Sequence, residues 1–241
     1  MATTRVGVGA AVAVVCAALF ALLAVAVAGR HGAPFPVDRS LHVWCVRHRP
    51  AWAADAARLV TATGTGPLPY LGAVAAGLIA GRDARERRGA VVAALLFLCL
   101  VQATRYAVLL PIHRPRPATA DWATLATGYA FPSGHATTSA LVAGLLAGAL
   151  YRVARPAVAR TGAVLLGCWA AAVGLSRIYL GVHWPSDVLG GWLYALAWLA
   201  VGHALLAWTA GRKAPYPLQA LSGGPRPRFE RRSAGRYGGL A

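Results

Sequence analysis

Residues 6–29 read Val-Gly-Val-Gly-Ala-Ala-Val-Ala-Val-Val-Cys-Ala-Ala-Leu-Phe-Ala-Leu-Leu-Ala-Val-Ala-Val-Ala-Gly, with no charged side chain anywhere in the run. A bilayer core of about 30 Å, at 1.5 Å of rise per residue, takes ~20 apolar residues of helix. This stretch is long enough to cross by itself. Arg5 precedes it, so a cleaved signal peptide is the alternative; the run is longer than a usual signal core, and in Ala-rich sequence a cleavage motif carries no information. A retained first helix is the favoured reading.

Working outward, residues 30–58 are mixed and carry Pro34, Pro36, Asp38, Trp44 and Trp52, the pattern of an interfacial segment with one short amphipathic helix. A second span is expected over 59–81, irregular in its outer half because of Gly64, Gly66, Pro67 and Pro69. A charged turn at 82–88 leads to a third span at 89–112, interrupted only by Gln102 and Arg105. After a Pro- and Arg-rich loop from 113 to about 131, a fourth span runs to Tyr151, a turn at 152–160 follows, and a fifth covers 161–177. A loop at 178–186 precedes a sixth span at 187–210. Residues 211–241 are Gly, Pro and Arg with few large apolar side chains, and read as a disordered basic tail.

Composition agrees with this organisation. The chain has 241 residues, 58% hydrophobic and 13% charged, against about 25% charged in an ordinary soluble domain. The apolar fraction excludes an intrinsically disordered chain. A net charge of +17 would suit a nucleic-acid binder, but a mean hydropathy of +0.54 does not. The expected fold is all-α, a polytopic membrane helix bundle of about six transmembrane helices. It divides into a first helix plus interfacial segment (1–58), a five-helix core (59–210) and the tail (211–241). Four scattered cysteines, Cys16, Cys45, Cys99 and Cys168, form no CxxC pair and read as small buried hydrophobes.

Basic residues set the orientation. With the N-terminus inside, 15 of the 24 Lys and Arg fall on the cytoplasmic side, at Arg5, in 82–88, in 152–160 and in the tail. Both termini are therefore expected in the cytoplasm.

Three polar clusters then share the outer surface: Arg114-Pro-Arg-Pro117 after span three, Pro132-Ser-Gly-His135 at the entry to span four, and Ser176-Arg177 with His183 and Asp187 between spans five and six. Ionisable groups at a membrane are costly unless used, so their convergence marks a site. Arg116 and Arg177 present planar forks of donors that match phosphate oxygens. Ser133 and Gly134 at a helix start offer a hydroxyl and free backbone N–H groups at the positive end of a helix dipole. His135 and His183 suit proton transfer or nucleophilic attack. Asp187, four residues after His183, can hold one imidazole nitrogen and leave the other free. A rival is a metal site built from His135, His183 and Asp187, which the adjacent Arg side chains oppose by repelling a cation.

At these residues the chain resembles the type 2 phosphatidic acid phosphatase superfamily, the integral-membrane lipid phosphate phosphatases related to vanadium haloperoxidases. That family's pattern is a Lys, six residues, Arg-Pro; then Pro-Ser-Gly-His; then Ser-Arg, five residues, His, three residues, Asp. Pro132-Ser-Gly-His135 matches the second motif in full, as does the stretch from Ser176-Arg177 through His183 to Asp187 for the third. Arg116-Pro117 matches the end of the first. The resemblance covers about residues 60 to 210. It departs at one position: the family lysine would stand at Leu109, and the chain's single lysine is Lys213. Counting from Arg114 instead puts Ala107 there. Arg105 lies one helical turn before Leu109 on the same face, and the hypothesis is that it reaches the phosphate in place of the lysine.

The resemblance implies a metal-independent membrane phosphatase with no cofactor, acting from outside the cell membrane on a lipid or polyprenyl (di)phosphate. It makes His183 the nucleophile of a phosphohistidine intermediate, Asp187 its orienting carboxylate, and His135 the acid for the leaving oxygen and then the base for water. Arg116, Arg177, Ser133 and the Gly134 backbone would hold the phosphate. The alternatives are a phosphotransferase with a non-water acceptor, and a catalytically impaired lipid-binding protein. The nearly Lys-free, Ala/Arg/Gly-rich composition suggests a GC-rich bacterial genome and favours polyprenyl diphosphate. No nucleic acid is expected as a partner. Among the remaining polar residues, His203 is expected to be a packed interior residue and Trp184 and Tyr179 interface anchors. Asp121 and Trp122 are expected to shape substrate entry.

Overall fold

A computed structural model describes residues 2–212, and the expected basic tail from 213 onward lies outside the described residues. Within them are eight α-helices and no strand: α1 (Ala2–Gly29), α2 (Pro36–Arg47), α3 (Ala51–Ala62), α4 (Leu68–Ala80), α5 (Ala84–Ile112), α6 (Gly134–Val153), α7 (Pro156–Tyr179) and α8 (Pro185–Arg212). Five of them, α1, α5, α6, α7 and α8, are long and apolar enough to cross a membrane.

The expected second span is the main difference. α4 has 13 residues, about 20 Å of helix, short of the ~30 Å hydrocarbon core. The first residues of the expected span belong to α3 instead, so the interfacial segment holds two short helices where one was expected. The break between α3 and α4 has a local cause. Gly66 adopts φ +65°, a conformation cheap only for glycine, and Pro67 and Pro69 cannot donate to a helix arriving from Thr63.

Elsewhere the helices outrun their hydrophobic stretches. α5 begins inside the charged turn because the Asp83 carboxylate caps the Arg85 and Glu86 amides, both at 2.8 Å. α7 and α8 each start on a proline, Pro156 and Pro185, where the missing N–H costs nothing.

α6 is central and packs against α4, α7 and α8; α5 lies along α4, α3 along α7, and α1 antiparallel along α8. The core joins Ala73, Leu98, Val101, Leu141 and Tyr194 from four helices, with Phe20 of α1 against it. Glycines allow the close helix approaches, Gly72 against Val142, Gly144 against Leu199 and Gly174 against Trp192, as expected where lipid supplies no hydrophobic force between helices. Of the cysteines, only Cys45 is buried; Cys16 is half-buried and Cys99 and Cys168 lie exposed on the bundle's outer faces, contrary to the expected burial. They sit in apolar runs because those runs face lipid. His203 is likewise exposed, on the α8 face beside Gly9 of α1, and so is not the interior residue expected.

The C-termini of α5 and α7 and the N-termini of α6 and α8 meet at one end of the bundle, together with α2, α3 and the α3–α4 break. The basic turns before α5 and before α7 lie at the other end.

Candidate active site

At that end lies a cavity of about 460 Å³, lined by Arg105, Arg116, Gly134, His135, Arg177 and His183 on its polar side. Tyr70, Tyr106, Leu109 and Leu125 supply an apolar wall, and Gly64, Thr65 and Gly66 show that the α3–α4 break opens onto it. No Asp or Glu lines it. The three arginines therefore face the cavity with no carboxylate on its wall to offset their charge.

Each side chain arrives by a traceable route. Gln102, Arg105 and Leu109 follow one another at roughly one-turn spacing near the end of α5 and all reach the cavity. Arg105 is 6% exposed; its Nε donates to Gln102 Oε1 (3.0 Å) and Nη1 to the Pro132 carbonyl (3.1 Å). Its Cζ is 3.3 Å from where a Cβ on Gly134 would stand. A guanidinium thus covers the first turn of α6, and any larger residue at 134 would push it away. Gln102 passes the chain onward, donating to Thr138 Oγ1 at 2.6 Å.

α5 ends at His113, in the left-handed region at φ 49°, and the following loop turns Arg114 and Arg116 back over the site. Arg116 lines the cavity with its guanidinium drawn into the protein: Nε to Gly128 O, Nη2 to Thr127 O and Tyr129 O, Nη1 to Val182 O and to His183 Nε2 at 2.9 Å. Burial lowers its affinity for a proton, without threatening its charge. Arg177, in the last turn of α7, is 3% exposed. Its Nη1 donates to Thr61 Oγ1 of α3 at 3.2 Å, while its buried Nε has no partner among the described residues. An unpaired charged donor at a cavity wall is costly until an acceptor arrives.

His183 sits in the α7–α8 loop, 2% exposed. Its Nδ1 faces Asp187 Oδ2 at 3.3 Å, and the same oxygen accepts from the Trp184 amide at 2.8 Å. With Nδ1 toward a carboxylate and Nε2 toward the Arg116 Nη1 donor, the consistent tautomer carries its proton on Nδ1 and a lone pair on Nε2. Burial first, then the charges of Arg116, Arg177 and Arg105, push its imidazolium form to well below the ordinary histidine range. The neutral imidazole is therefore the favoured form.

Ser133 is placed differently from expectation. It precedes α6 in an extended conformation, but its Oγ does not cap the helix; it is fully buried without a partner among the described residues and does not line the cavity. Its amide donates to the Asp187 carbonyl at 3.0 Å, tying α6 to α8. Trp184 is buried with Nε1 on the Pro115 carbonyl, so it stitches loops and is not an interface anchor. Tyr179, half-buried, donates to His48 O. Asp121 accepts from His42 Nε2 at 2.9 Å and Trp122 donates to Pro117 O; neither lines the cavity.

Sequence reasoning noted Gln102 only as an interruption of the third span, and missed Thr61, whose small neutral side chain carries no signal, and the carbonyls of 127–129, which no side-chain pattern marks. It passed over Asp38 of α2 and treated Arg114 only as part of a cluster. Yet Arg114 is fully buried and bridges Asp187 (2.6 Å) to Asp38 (2.8 Å).

The profile of the PAP2 superfamily matches residues 10–210. The chain belongs to the PAP2 superfamily. Phosphatidylglycerophosphatase B of Escherichia coli is 42% identical over 86 residues, 36% of this chain and 31% of that protein. An undecaprenyl-diphosphatase of Sulfolobus acidocaldarius is 34% identical over 86 residues, 31% of this chain and 32% of that one. The chain thus aligns with about a third of the length of these relatives. A crystal structure of a transmembrane PAP2-type phosphatidylglycerolphosphate phosphatase from Bacillus subtilis superposes with a TM-score of 0.66 at 24% identity, covering 84% of this chain and 97% of that one. This likeness establishes the fold. The chain is a multi-pass membrane protein of the PAP2 superfamily, and its match takes in α1, beyond the region that carries the motifs.

Proposed function

We propose that this protein is a metal-independent membrane phosphatase that hydrolyses a lipid or polyprenyl (di)phosphate through a phosphohistidine at His183. The observation that carries the reading is the cavity itself: three arginines and two histidines at a helix start, no carboxylate on its wall, and an apolar side formed by Tyr70, Tyr106, Leu109 and Leu125. The polar wall suits a phosphoryl group and the apolar wall the first carbons of a lipid chain.

In this mechanism His183 Nε2 attacks phosphorus, the bond from phosphorus to the leaving oxygen breaks, and that oxygen takes a proton from His135 in its imidazolium form. His135, now neutral, removes a proton from water; the water oxygen attacks phosphorus, the P–N bond breaks, and neutral His183 and inorganic phosphate result. The proton stays on Nδ1, hydrogen-bonded to Asp187, throughout. Arg177, with its unpaired Nε, and Arg105 and the Gly134 amide hold the phosphate oxygens as charge develops. Arg105 takes the role that the family pattern gives to a lysine at Leu109, because both positions line the cavity one turn apart. Arg116 first holds Nε2 and the 127–129 carbonyls, so the phosphate must displace contacts that Arg116 makes with the protein.

Metal participation is disfavoured by the donor set: Asp187 is fully buried with its oxygens on Arg114, Trp184 and His183, and does not line the cavity. The basic turns at the far end of the bundle favour a site facing out of a bacterial cell membrane. The test is phosphate release from phosphatidic acid, phosphatidylglycerophosphate and undecaprenyl diphosphate in detergent, with EDTA and vanadate arms. Release that survives EDTA and is blocked by vanadate supports the reading; loss of activity in EDTA overturns it.

A further inference from the structure

Asp38, in the first turn of α2, and Arg114, in the loop after α5, stand outside the cavity wall, yet both are fully buried beside the His183–Asp187 pair. Arg114 Nη1 donates to Asp187 Oδ1 at 2.6 Å and Nη2 to Asp38 Oδ2 at 2.8 Å. Ser186 locks the junction: its amide and hydroxyl donate to Asp38 Oδ1 and Oδ2 at 2.9 and 2.7 Å, and its Oγ accepts from Arg114 Nη1 at 2.7 Å. Arg114 Nε reaches the Gly32 carbonyl at 3.3 Å, and the Phe35 amide donates to Asp38 Oδ2 at 3.1 Å. We infer that Asp38 and Arg114 are a positioning pair, which fixes the Asp187 carboxylate and through it the His183 imidazole.

The inference rests on the reading of His183 as nucleophile, and its physical logic is geometric. Asp187 Oδ2 is shared between the Trp184 amide and His183 Nδ1. Its rotation about the Cβ–Cγ bond is held at Oδ2 by those two donors and at Oδ1 by Arg114, the shortest of the three contacts. Arg114 in turn is pulled in two directions, so that removing Asp38 leaves the guanidinium free to move onto Asp187 and drag the carboxylate from the imidazole. Charge points the same way. Two carboxylates against one guanidinium leave a net negative charge behind His183, where positive charge develops as Nε2 bonds to phosphorus. Such an arrangement need not stabilise the fold: a buried ion network often does no better than apolar residues of the same volume. A kinetic role is therefore the sharper expectation.

The experiment compares Asp38→Asn, Asp187→Asn and the double variant in the purified full chain, assayed on dioctanoyl phosphatidic acid with thermal midpoints recorded alongside. Asp38→Asn is expected to lower kcat by about 10- to 100-fold, the scale of a displaced catalytic group, with KM within about twofold of wild type. The double variant is expected to be no slower than Asp187→Asn alone, since both act through one carboxylate. Ser186→Ala, which removes a neutral link and leaves both charges, is expected to give a smaller kcat loss at constant KM and serves if Asp38→Asn does not fold. Multiplicative losses in the double variant, or a kcat for Asp38→Asn or Ser186→Ala equal to wild type, overturn the positioning role. If Asp187→Asn itself retains wild-type kcat, the His183 reading fails instead, and with it the inference.

Discussion

Replacing Arg105 by methionine removes the guanidinium while keeping an unbranched side chain of similar reach. In the folded protein Arg105 spends its Nε on Gln102 and its Nη1 on the Pro132 carbonyl, and its Cζ stands over the start of α6, 3.3 Å from a Cβ position at Gly134. One charge-assisted hydrogen bond is worth about 1.5–3 kcal/mol. If Arg105 makes one such bond to a phosphate oxygen in the transition state, its loss lowers kcat/KM by roughly 13- to 160-fold, at 1.36 kcal/mol per decade. A separate cost falls on stability, because the Pro132 carbonyl loses its donor, about 1–3 kcal/mol. The thermal midpoint reads that cost independently of the kinetics. Phosphate release from dioctanoyl phosphatidic acid is the assay, with Leu109→Ala as the comparison and Arg105→Met/Leu109→Lys as the rescue. Leu109 carries no polar group, so its truncation affects packing and leaves phosphate binding intact; a lysine at 109 restores a cation one turn along the same wall. Near wild-type rates for both Arg105→Met and Leu109→Ala would refute the assignment.

Four further outcomes follow from the same geometry. His183→Ala abolishes turnover in purified protein, and wild type incubated with ³²P-labelled substrate and quenched in alkaline detergent carries an acid-labile, base-stable label that the variant lacks; robust activity without His183 removes the nucleophile from that position. Because burial and three arginines disfavour its imidazolium form, His183 titrates well below the ordinary ~6.5, and Arg116→Gln, which removes the charge nearest Nε2, moves that titration upward; deuterium exchange at the imidazole C2, read by mass spectrometry across pH, measures both. The sign for stability is that a histidine held neutral when folded lets the unfolded chain bind more protons below ~6.5, so His183 contributes stability above that pH and loses it on acidification; a His183→Gln variant should flatten the acid side of the thermal-midpoint profile. Finally, Gly134→Ala places a methyl against the Arg105 guanidinium and is expected to lower kcat/KM about tenfold with little change in thermal midpoint; unchanged kinetics would show that Arg105 tolerates displacement.

What could be read from the sequence was whatever repeats locally. Hydrophobic length located α1 and α5 to α8, and the motif spacings brought His135, Arg177 and His183 to one cavity, where they are found. The failures have different physical origins. Span two came out too long because its hydropathy is continuous across residues 59–81 while its backbone is not: Gly66 and the prolines break the helix without interrupting the apolar run, so only α4 runs from the site end to the turn before α5. Helix starts came out late because Asp83, Pro156 and Pro185 act through capping and N1 geometry, to which hydropathy is blind. Ser133, assigned to phosphate from its motif, has its Oγ buried without a partner among the described residues and its amide on the Asp187 carbonyl, a placement its motif does not reveal.

Asp38 marks a different kind of limit. It lies 76 residues from Arg114 and 148 from Ser186, and no periodicity pairs positions so far apart. Its only local sign was a carboxylate in an interfacial segment, and Arg39 beside it in sequence hid even that. The same reasoning runs in reverse for the arginines. Arg114 and Arg116 are two residues apart and look equivalent in sequence, yet the irregular loop after α5 sends them to separate surroundings. One meets two buried carboxylates and is fully compensated; the other meets carbonyl oxygens and His183 Nε2, which leave its charge uncompensated at the cavity. Charge balance therefore sorts their tasks: the paired arginine can only hold Asp187 in place, and the unpaired one is available to an anion.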